Sequence, residues 1–456
     1  MIHRQKDSPV LGLDSGSRVA VLGGGPAGSF FSYFLIEIAR RVGIDLRVDV
    51  YESRDFSRPG PTGCNMCGGI VSESLVQALA AEGINLPPTV VQRGIDSYRL
   101  HMDVGSVRIE TPLNEMRIAA VHRGSGPRDV QSTKWTSFDG YLQTLVLNNG
   151  AHLVRGRVDS VDFKRGRPEI KVRGGSSQDY DLLAVAAGVN SGTSKLFETL
   201  GLGYRFPNTT KAFISEYYLG EESISRALGS SMHVFLLDIP RLEFAAIIPK
   251  GDYLTICLLG KDIDKSLVKS FLDSSEVKQC LPRSWRSDHS SCNCWPSMNV
   301  RGAVGPFADR VVFIGDCGVT RLYKDGIGAA YRTAKAAATT AVLWGVSASS
   351  FREHFWPICS SIGRDNTLGR LSFGAVRTIR KARFARRAIL RMSTIEQQGD
   401  PRLRYMSMAL WDMFTGSAPY KDIFIRGLSP RFIGRFLWNM LVSSFPLDGS
   451  NSERRL

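Results

Sequence analysis

The sequence predicts an α/β protein in which a parallel sheet is interrupted by an antiparallel one and followed by a helical C-terminal region. Three observations carry that expectation. Near the start, a short apolar strand runs into a glycine turn and an apolar helix. Residues 88–135 and about 205–300 hold stretches that alternate apolar and polar with period two. From about residue 346 onward the apolar spacing is helical. At 456 residues, 43% hydrophobic and 22% charged, the chain has room for two or three globular domains and a large core. No repeat of solenoid period is visible.

The first element is the segment "RVAVLGGGPAGSFFSYFLIEIARR". Val19, Val21 and Leu22 give a buried strand, and Phe30, Phe31, Phe34, Leu35 and Ile38 give the inner stripe of a helix. Between them Gly23, Gly25 and Gly28 make a G-x-G-x-x-G turn. The first glycine permits the tight bend and the second lets backbone approach a pyrophosphate. The third lets helix and strand pack closely, with phosphate at the positive helix end. A second strand, "LRVDVYES", ends in Glu52, twenty-four residues beyond Gly28, where a carboxylate can accept hydrogen bonds from a ribose. Strand, glycines, helix, strand and terminal acid in this order predict a bound dinucleotide in a Rossmann-type domain.

Two later stretches belong to the same sheet. "YDLLAVAAGVNSGTSK" is an apolar strand ending in a glycine turn. "DRVVFIGDCGVTRLYKDGIGAAYRTAKAAATTAV" gives a strand over residues 311–314, then Gly315-Asp316, then a small-residue helix over about 327–342. Asp316 is placed to bond ribityl hydroxyls. Gly326 and Gly328 are placed to admit flavin phosphate and ring atoms at a helix N-terminus. The dinucleotide domain is therefore discontinuous: 17–87, 136–204 and 301–345. Residues 88–135 and 205–300 form an antiparallel substrate or cap domain, and 346–456 the helical C-terminal domain.

With these motifs the chain resembles the geranylgeranyl reductase family, within the flavoprotein superfamily of the p-hydroxybenzoate hydroxylase type. The resemblance covers roughly residues 17–345. It rests on the glycine fingerprint, Glu52, "CGG" at Cys67 to Gly69, Arg123 ahead of "FDGYLQTLVLNNGAHLVRG", and "GD…DGIGAA". It implies FAD as cofactor, Arg123 among its contacts, and a substrate pocket against Gly68, Gly69, Phe244 and Pro249. It also implies reduction of carbon–carbon double bonds in an isoprenoid or similar lipid-like chain, with Cys67 or an ordered water as acid. The external reductant, NADPH or a ferredoxin-like protein, is left open. Two departures stand out. The superfamily's strand-end Asp-Gly is Ala187-Gly188, and the family's "YxWxFPK" is "FAAIIPK", which alters the pocket wall.

The loop "GCNMCGGIV" places Cys64 and Cys67 beside the expected flavin ring, ahead of a helix beginning near Ser72, whose positive end would favour the Cys67 thiolate. Three uses remain open: Cys67 as a pocket thiol, Cys64 and Cys67 as a redox pair, or small packed thiols. In "DHSSCNCWP", His289, Cys292 and Cys294, with Cys280 upstream, have the ligand types of a metal site, though a packed strand end is the preferred reading and no metal is assigned. Cys257, Cys317 and Cys359 are expected in the core, with Cys317 near enough to Asp316 to approach the flavin.

The net charge is +15, and residues 363–392 hold nine Arg or Lys against one Asp. With "RYMSMALWDMF" and "SPRFIGRFLWNMLVSSF" beyond it, this stretch reads either as an interfacial surface for anionic membrane, over 363–445, or as a helical cap packed on the dinucleotide domain. Nothing accompanies the charge that would stack nucleic-acid bases. No apolar run reaches the length of a membrane span, and residues 1–17 lack the apolar core of a secretory signal. The expected location is cytoplasmic, with peripheral membrane contact open. Two other functions fit the scaffold: an oxygen-using monooxygenase or halogenase, and a membrane-docked flavin electron-transfer subunit. Phe244 to Pro249 lacks both tryptophans of the halogenase W-x-W-x-I-P motif.

Overall fold

The computed structural model describes residues 11–111, 115–129, 135–198 and 200–444. The first ten residues of the expected leader, parts of the 88–135 segment and the end of the C-terminal region lie outside the described residues.

A six-stranded sheet organises the dinucleotide half. Its order is Phe307–Ala308, Val311–Phe313, Leu182–Val185, Arg18–Leu22, Arg47–Glu52 and His152–Arg155, parallel except for the first pair. Parallel strands covered on both faces must be apolar throughout, and Leu182–Val185 is buried at every position. Alternation then divides the core. Val19 and Val21 join a cluster with Phe30, Phe31 and Phe34, whereas Ala20 and Leu22 join Val161, Ile170 and Phe197 on the other face. On the first face, helices Pro26–Arg41 and Gly326–Leu343 lie together, with Tyr331 edge-on to Phe30 and Phe34. The second helix has Ala334, Ala337, Ala338 and Ala341 fully buried, so small side chains let the backbones approach.

A seven-stranded sheet forms the second layer: Cys292–Cys294, Phe213–Tyr218, Tyr253–Gly260, Leu242–Lys250, Ser231–Phe235, Ser97–Met102 and Gly105–Glu110. It is antiparallel except where Ser231–Phe235 runs parallel to Ser97–Met102, because these strands come from separate excursions of the chain. Leu242–Lys250 is buried along its whole length. Phe244, Ala246 and Ile248 face one cluster, while Ala245 and Ile247 face Phe271 and Val277 on the other.

The C-terminal helices pack mainly on this second sheet. Met392, Met406, Leu410, Met413, Phe414 and Tyr420 share a cluster with Tyr98, Leu100, Val234 and Phe244. Part of the basic run turns inward with them. Arg386 pairs with Asp103 at 2.6 Å, and Arg380 donates to the Glu243 carbonyl at 2.8 Å; both side chains are buried. On the helix Arg383–Gln398 Phe384 is exposed, whereas Ala388 and Met392 are buried. The last helix, Pro430–Ser444, leaves Ile433, Leu437, Trp438 and Leu441 exposed. No helix among the described residues is long and apolar enough to cross a membrane.

Gly28 fixes how closely the glycine-turn helix meets the sheet. A Cβ there would overlap the carbonyl oxygen of Gly23. Gly363, in helix Trp356–Lys381, would place a Cβ in open space. Opposite signs are expected in chemical denaturation. Gly28→Ala should lose about 2–3 kcal/mol or more through forced displacement of the helix, and Gly363→Ala should gain about 0.5–1 kcal/mol.

Candidate functional site

One cavity of about 560 Å³ runs from the glycine turn to the inner face of the seven-stranded sheet. At its first end Gly23, with φ +107°, turns the chain out of the strand, and Gly25 precedes Pro26 at the helix start. Glu52 accepts hydrogen bonds from the backbone N–H groups of Gly24 and Arg54, each at 2.8 Å, which aims its carboxylate along the cavity mouth. Gly28 lies behind this wall and serves packing alone. Further along, helix Gly326–Leu343 opens on the cavity with no side-chain hydrogen bond capping it, so both helices present free N–H groups to it.

The thiol loop is tied to the turn by polar groups. Arg123 donates from Nε and a terminal nitrogen to the two oxygens of Asp139, at 2.6 and 3.1 Å, and both side chains are buried. Burial works against the guanidinium's charge, but Asp139, with Cys67 and Cys64 nearby, holds its pKa above the usual arginine value. Asn65 donates to Asp139 and accepts from Arg54. Its amide also closes on Gly25, where a Cβ would stand 3.0 Å from Nδ2. Met66, next in the loop, takes φ +50°, a conformation unfavourable for a side-chain-bearing residue. Neither Asn65 nor Asp139 was predicted from the sequence; the only hint was their position within the "CNMC" and "FDG" segments.

The cysteines divide differently from expectation. Cys67, Gly68 and Gly69 line the cavity, and Gly69 needs its φ of +69° to pass the Val121 carbonyl. Cys64 does not line it. Its sulfur accepts from the Met66 N–H at 3.2 Å, and burial pushes its thiol up to about 11, which does not suit a redox partner at neutral pH. Cys257 is buried in the core, as expected, and its sulfur also reaches the cavity wall against Gly68, where a Cβ would meet it at 2.8 Å. Cys317 turns away and donates to the Val185 carbonyl at 3.0 Å inside the sheet's second-face core; Cys359 is also core. The helix does not open on Cys67 either. Strand Ile70–Val71 intervenes, and the hydroxyl of Ser72 donates to Asp325 at 2.8 Å instead of capping helix Glu73–Ala81.

The group of His289, Cys292, Cys294 and Cys280 does not assemble. Cys292 and Cys294 sit on an edge strand opposite Glu216 and Ile214, His289 is exposed in a turn, and Cys280 lies elsewhere at the end of helix Ser275–Cys280.

Towards the large sheet and the C-terminal helices the cavity wall is apolar: Ile214, Met232, Phe244, Ile248, Leu259 and Phe414. Pro249 is not part of it, because alternate residues of a strand face opposite ways and Phe244, Ala246 and Ile248 take the cavity side. Asp316 opens into the void, and the enclosing protein raises its carboxyl pKa by desolvation. Gly326 also faces this void, with a Cβ 3.9 Å from Asp316. Gly328, expected at the cofactor, instead makes room for the Asp325 side chain. Behind Gly69 the buried Lys250 ammonium pairs with Glu216 at 3.3 Å, and Thr255 donates to the same carboxylate at 3.0 Å. Burial, the largest single influence, opposes ionisation of Glu216, but Lys250, His122 and the Thr255 hydrogen bond together outweigh it and hold the carboxyl below its usual range.

No protein-family model and no curated protein matches the chain. Solved structures share its fold. A flavoprotein/dehydrogenase from Cytophaga hutchinsonii is 12% identical, with a TM-score of 0.61 over 94% of this chain and 100% of that one. The flavin-dependent brominase Bmp2 is 14% identical, with a TM-score of 0.60 over 94% and 100%. The halogenase PltM, in complex with phloroglucinol and FAD, is 12% identical, with a TM-score of 0.58 over 94% and 91%. At such identities the likeness is one of fold.

His122 lies beside Glu216, and burial pushes its pKa down to about 4. An unfolded imidazole titrates near 6.5, so the unfolded chain binds the extra proton between these values. The stability that neutral His122 contributes is complete above about pH 6.5 and is lost as pH falls towards about 4. His101 and His233, lowered by burial to about 4 and about 3, add to the same slope. Denaturation from pH 7 to 4 should therefore show His122→Gln with a shallower loss than the parent, by up to ~1.4 kcal/mol per pH unit.

Proposed function

We propose that the chain is an FAD-dependent oxidoreductase that reduces carbon–carbon double bonds in an isoprenoid or similarly lipid-like substrate. One observation carries the reading. A single cavity joins a dinucleotide turn to a largely apolar wall, with Cys67 and two glycines at the junction.

The residues present fit the cofactor. Two helix N-termini, Gly23, Gly25 and Glu52 suit an adenylate and a pyrophosphate, and Asp316 and Gly326 suit a ribityl chain. Asn299 Oδ1 is buried on the cavity wall with no partner among the described residues, an acceptor that a ligand donor would satisfy. FAD, when bound, supplies a two-electron reduction that no side chain can. The protein's own part is to hold an apolar chain along Ile214, Phe244, Ile248 and Phe414, to exclude water, and to offer a proton at Cys67 Sγ or at a water beside it.

The test is anaerobic turnover of a polyprenyl substrate by dithionite-reduced holoenzyme, read by mass spectrometry, followed by the same reaction in air. Gain of two hydrogens per double bond without oxygen, slowed by Cys67→Ala, is the expected result. A product carrying an added oxygen or halogen, formed only in air, would overturn the reductase reading in favour of a monooxygenase or halogenase.

We further propose that the exposed apolar side of the last helix, Ile433, Leu437, Trp438 and Leu441, docks on anionic lipid. Arg431 and Arg435 stand beside it on a helix without acidic residues, in a chain of net charge +15. Vesicles containing phosphatidylglycerol should bind the protein, and Leu437→Ala/Trp438→Ala should weaken binding about tenfold or more. Equal binding of parent and variant, or none by the parent, would contradict the docking.

A further inference from the structure

The large sheet carries a second cluster of chemically competent side chains on the face turned away from the cavity. Met232 and Val234 point to the cavity-side core, so the residue between them, His233, points to the other side. His101 lies on the neighbouring strand, two positions along in register, and shares that face with Phe235. Helix Ser275–Cys280 packs over this face and delivers Cys280 to the two imidazoles.

We propose that His101 Nε2, His233 Nδ1 and Cys280 Sγ bind a borderline-soft divalent transition-metal ion, Zn²⁺ first among them, with a fourth position left to solvent. One ligand atom from each of the three residues lies within 4.8 Å of the others. His101 Nε2 is 3.0 Å from His233 Nδ1 and 3.5 Å from Cys280 Sγ. Tetrahedral zinc at ordinary bond lengths needs about 3.3 Å between two nitrogens and about 3.6 Å between nitrogen and sulfur. Both separations from His101 therefore stand within a few tenths of an ångström of ligand geometry without an ion.

The ligand chemistry agrees. Two imidazoles and a thiolate select zinc or copper over the hard cations that prefer oxygen. Both imidazoles are buried, which keeps them neutral and able to donate lone pairs. The rings are held in place by stacking, His101 on Phe235 with centroids 4.6 Å apart and on His233 at 5.0 Å. The thiol donates to the Glu276 carbonyl at 3.1 Å, and burial pushes its pKa up to about 11. Binding must therefore release that proton as the S–H bond gives way to a metal–sulfur bond. Arg99 lies close enough to oppose a cation, and Glu276 to favour one. The thiolate neutralises half of the ion's charge and tips this balance. Such a site would pin a six-residue helix to the sheet, independently of the cavity and of the cofactor.

The experiment is elemental analysis of the full chain after equilibration with micromolar Zn²⁺ and gel filtration, with Co²⁺ as a spectroscopic substitute. The proposal expects one zinc per chain, a higher melting temperature with zinc, and a near-ultraviolet thiolate-to-cobalt band beside visible bands of four-coordinate Co²⁺. Cys280→Ser and His233→Gln should abolish both the stoichiometric zinc and the thiolate band. Cys292→Ser and Cys294→Ser should keep them. Cys280→Ser is close to isosteric, so it remains informative if the histidine variant fails to fold. Absence of stoichiometric zinc in the parent, or zinc lost in Cys292→Ser and Cys294→Ser but kept in Cys280→Ser, would overturn the proposal.

Discussion

The ion pair between Arg123 and Asp139 holds the site together. It is buried, so neither partner can be lost without stranding the other's charge in a poor solvent. Through Asn65 it reaches both Arg54 and the glycine turn, and so clamps the "CNMC" loop against the start of the first helix. Without that clamp the loop would have no polar reason to enter the space between the two sheets. With it, the dinucleotide turn and the substrate wall share one cavity.

The second constraint is steric. Glycines stand where the chain crosses itself: Gly28 over Gly23, Gly69 over Val121, Gly68 over Cys257. None of these crossings leaves room for a Cβ, and at Gly68 and Gly69 the backbone itself forms the cavity surface. Behind that surface the Lys250–Glu216 pair keeps charge inside the sheet while leaving the wall in front of it apolar. The functional half of the molecule is thus a thin layer of backbone and small side chains, backed by charges that satisfy one another.

The dinucleotide half was legible in the sequence because a single local pattern encodes both its fold and its chemistry: apolar strand, three spaced glycines, apolar helix, acid. The antiparallel layer was legible as strands, but not face by face. Pro249 stands on the side opposite Phe244 because strand parity decides it, and the same parity turns the core residue Cys257, paired with Ala246, towards the cavity side. Cys64 and Cys67 share a motif but not an environment, since the loop folds one inward and leaves the other on the cavity. Cys280 was flagged with the wrong neighbours. Its contacts, His101 and His233, come from strands far away in the chain, and no spacing rule joins residues that only a sheet register brings together. The basic C-terminal run divides in the same way: Arg380 and Arg386 answer buried acceptors, while Arg431 and Arg435 remain outside.

The account stands or falls on what the cavity holds. The most direct measurement is flavin binding by the apoprotein, comparing FAD with FMN, which lacks the adenylate that the turn at Gly23–Gly28 and Glu52 would grip. The account predicts one FAD per chain retained through gel filtration, with FMN held far more weakly and FAD binding lost in Gly25→Asp. A folded protein that stays colourless with FAD, or holds FMN equally well, would contradict it.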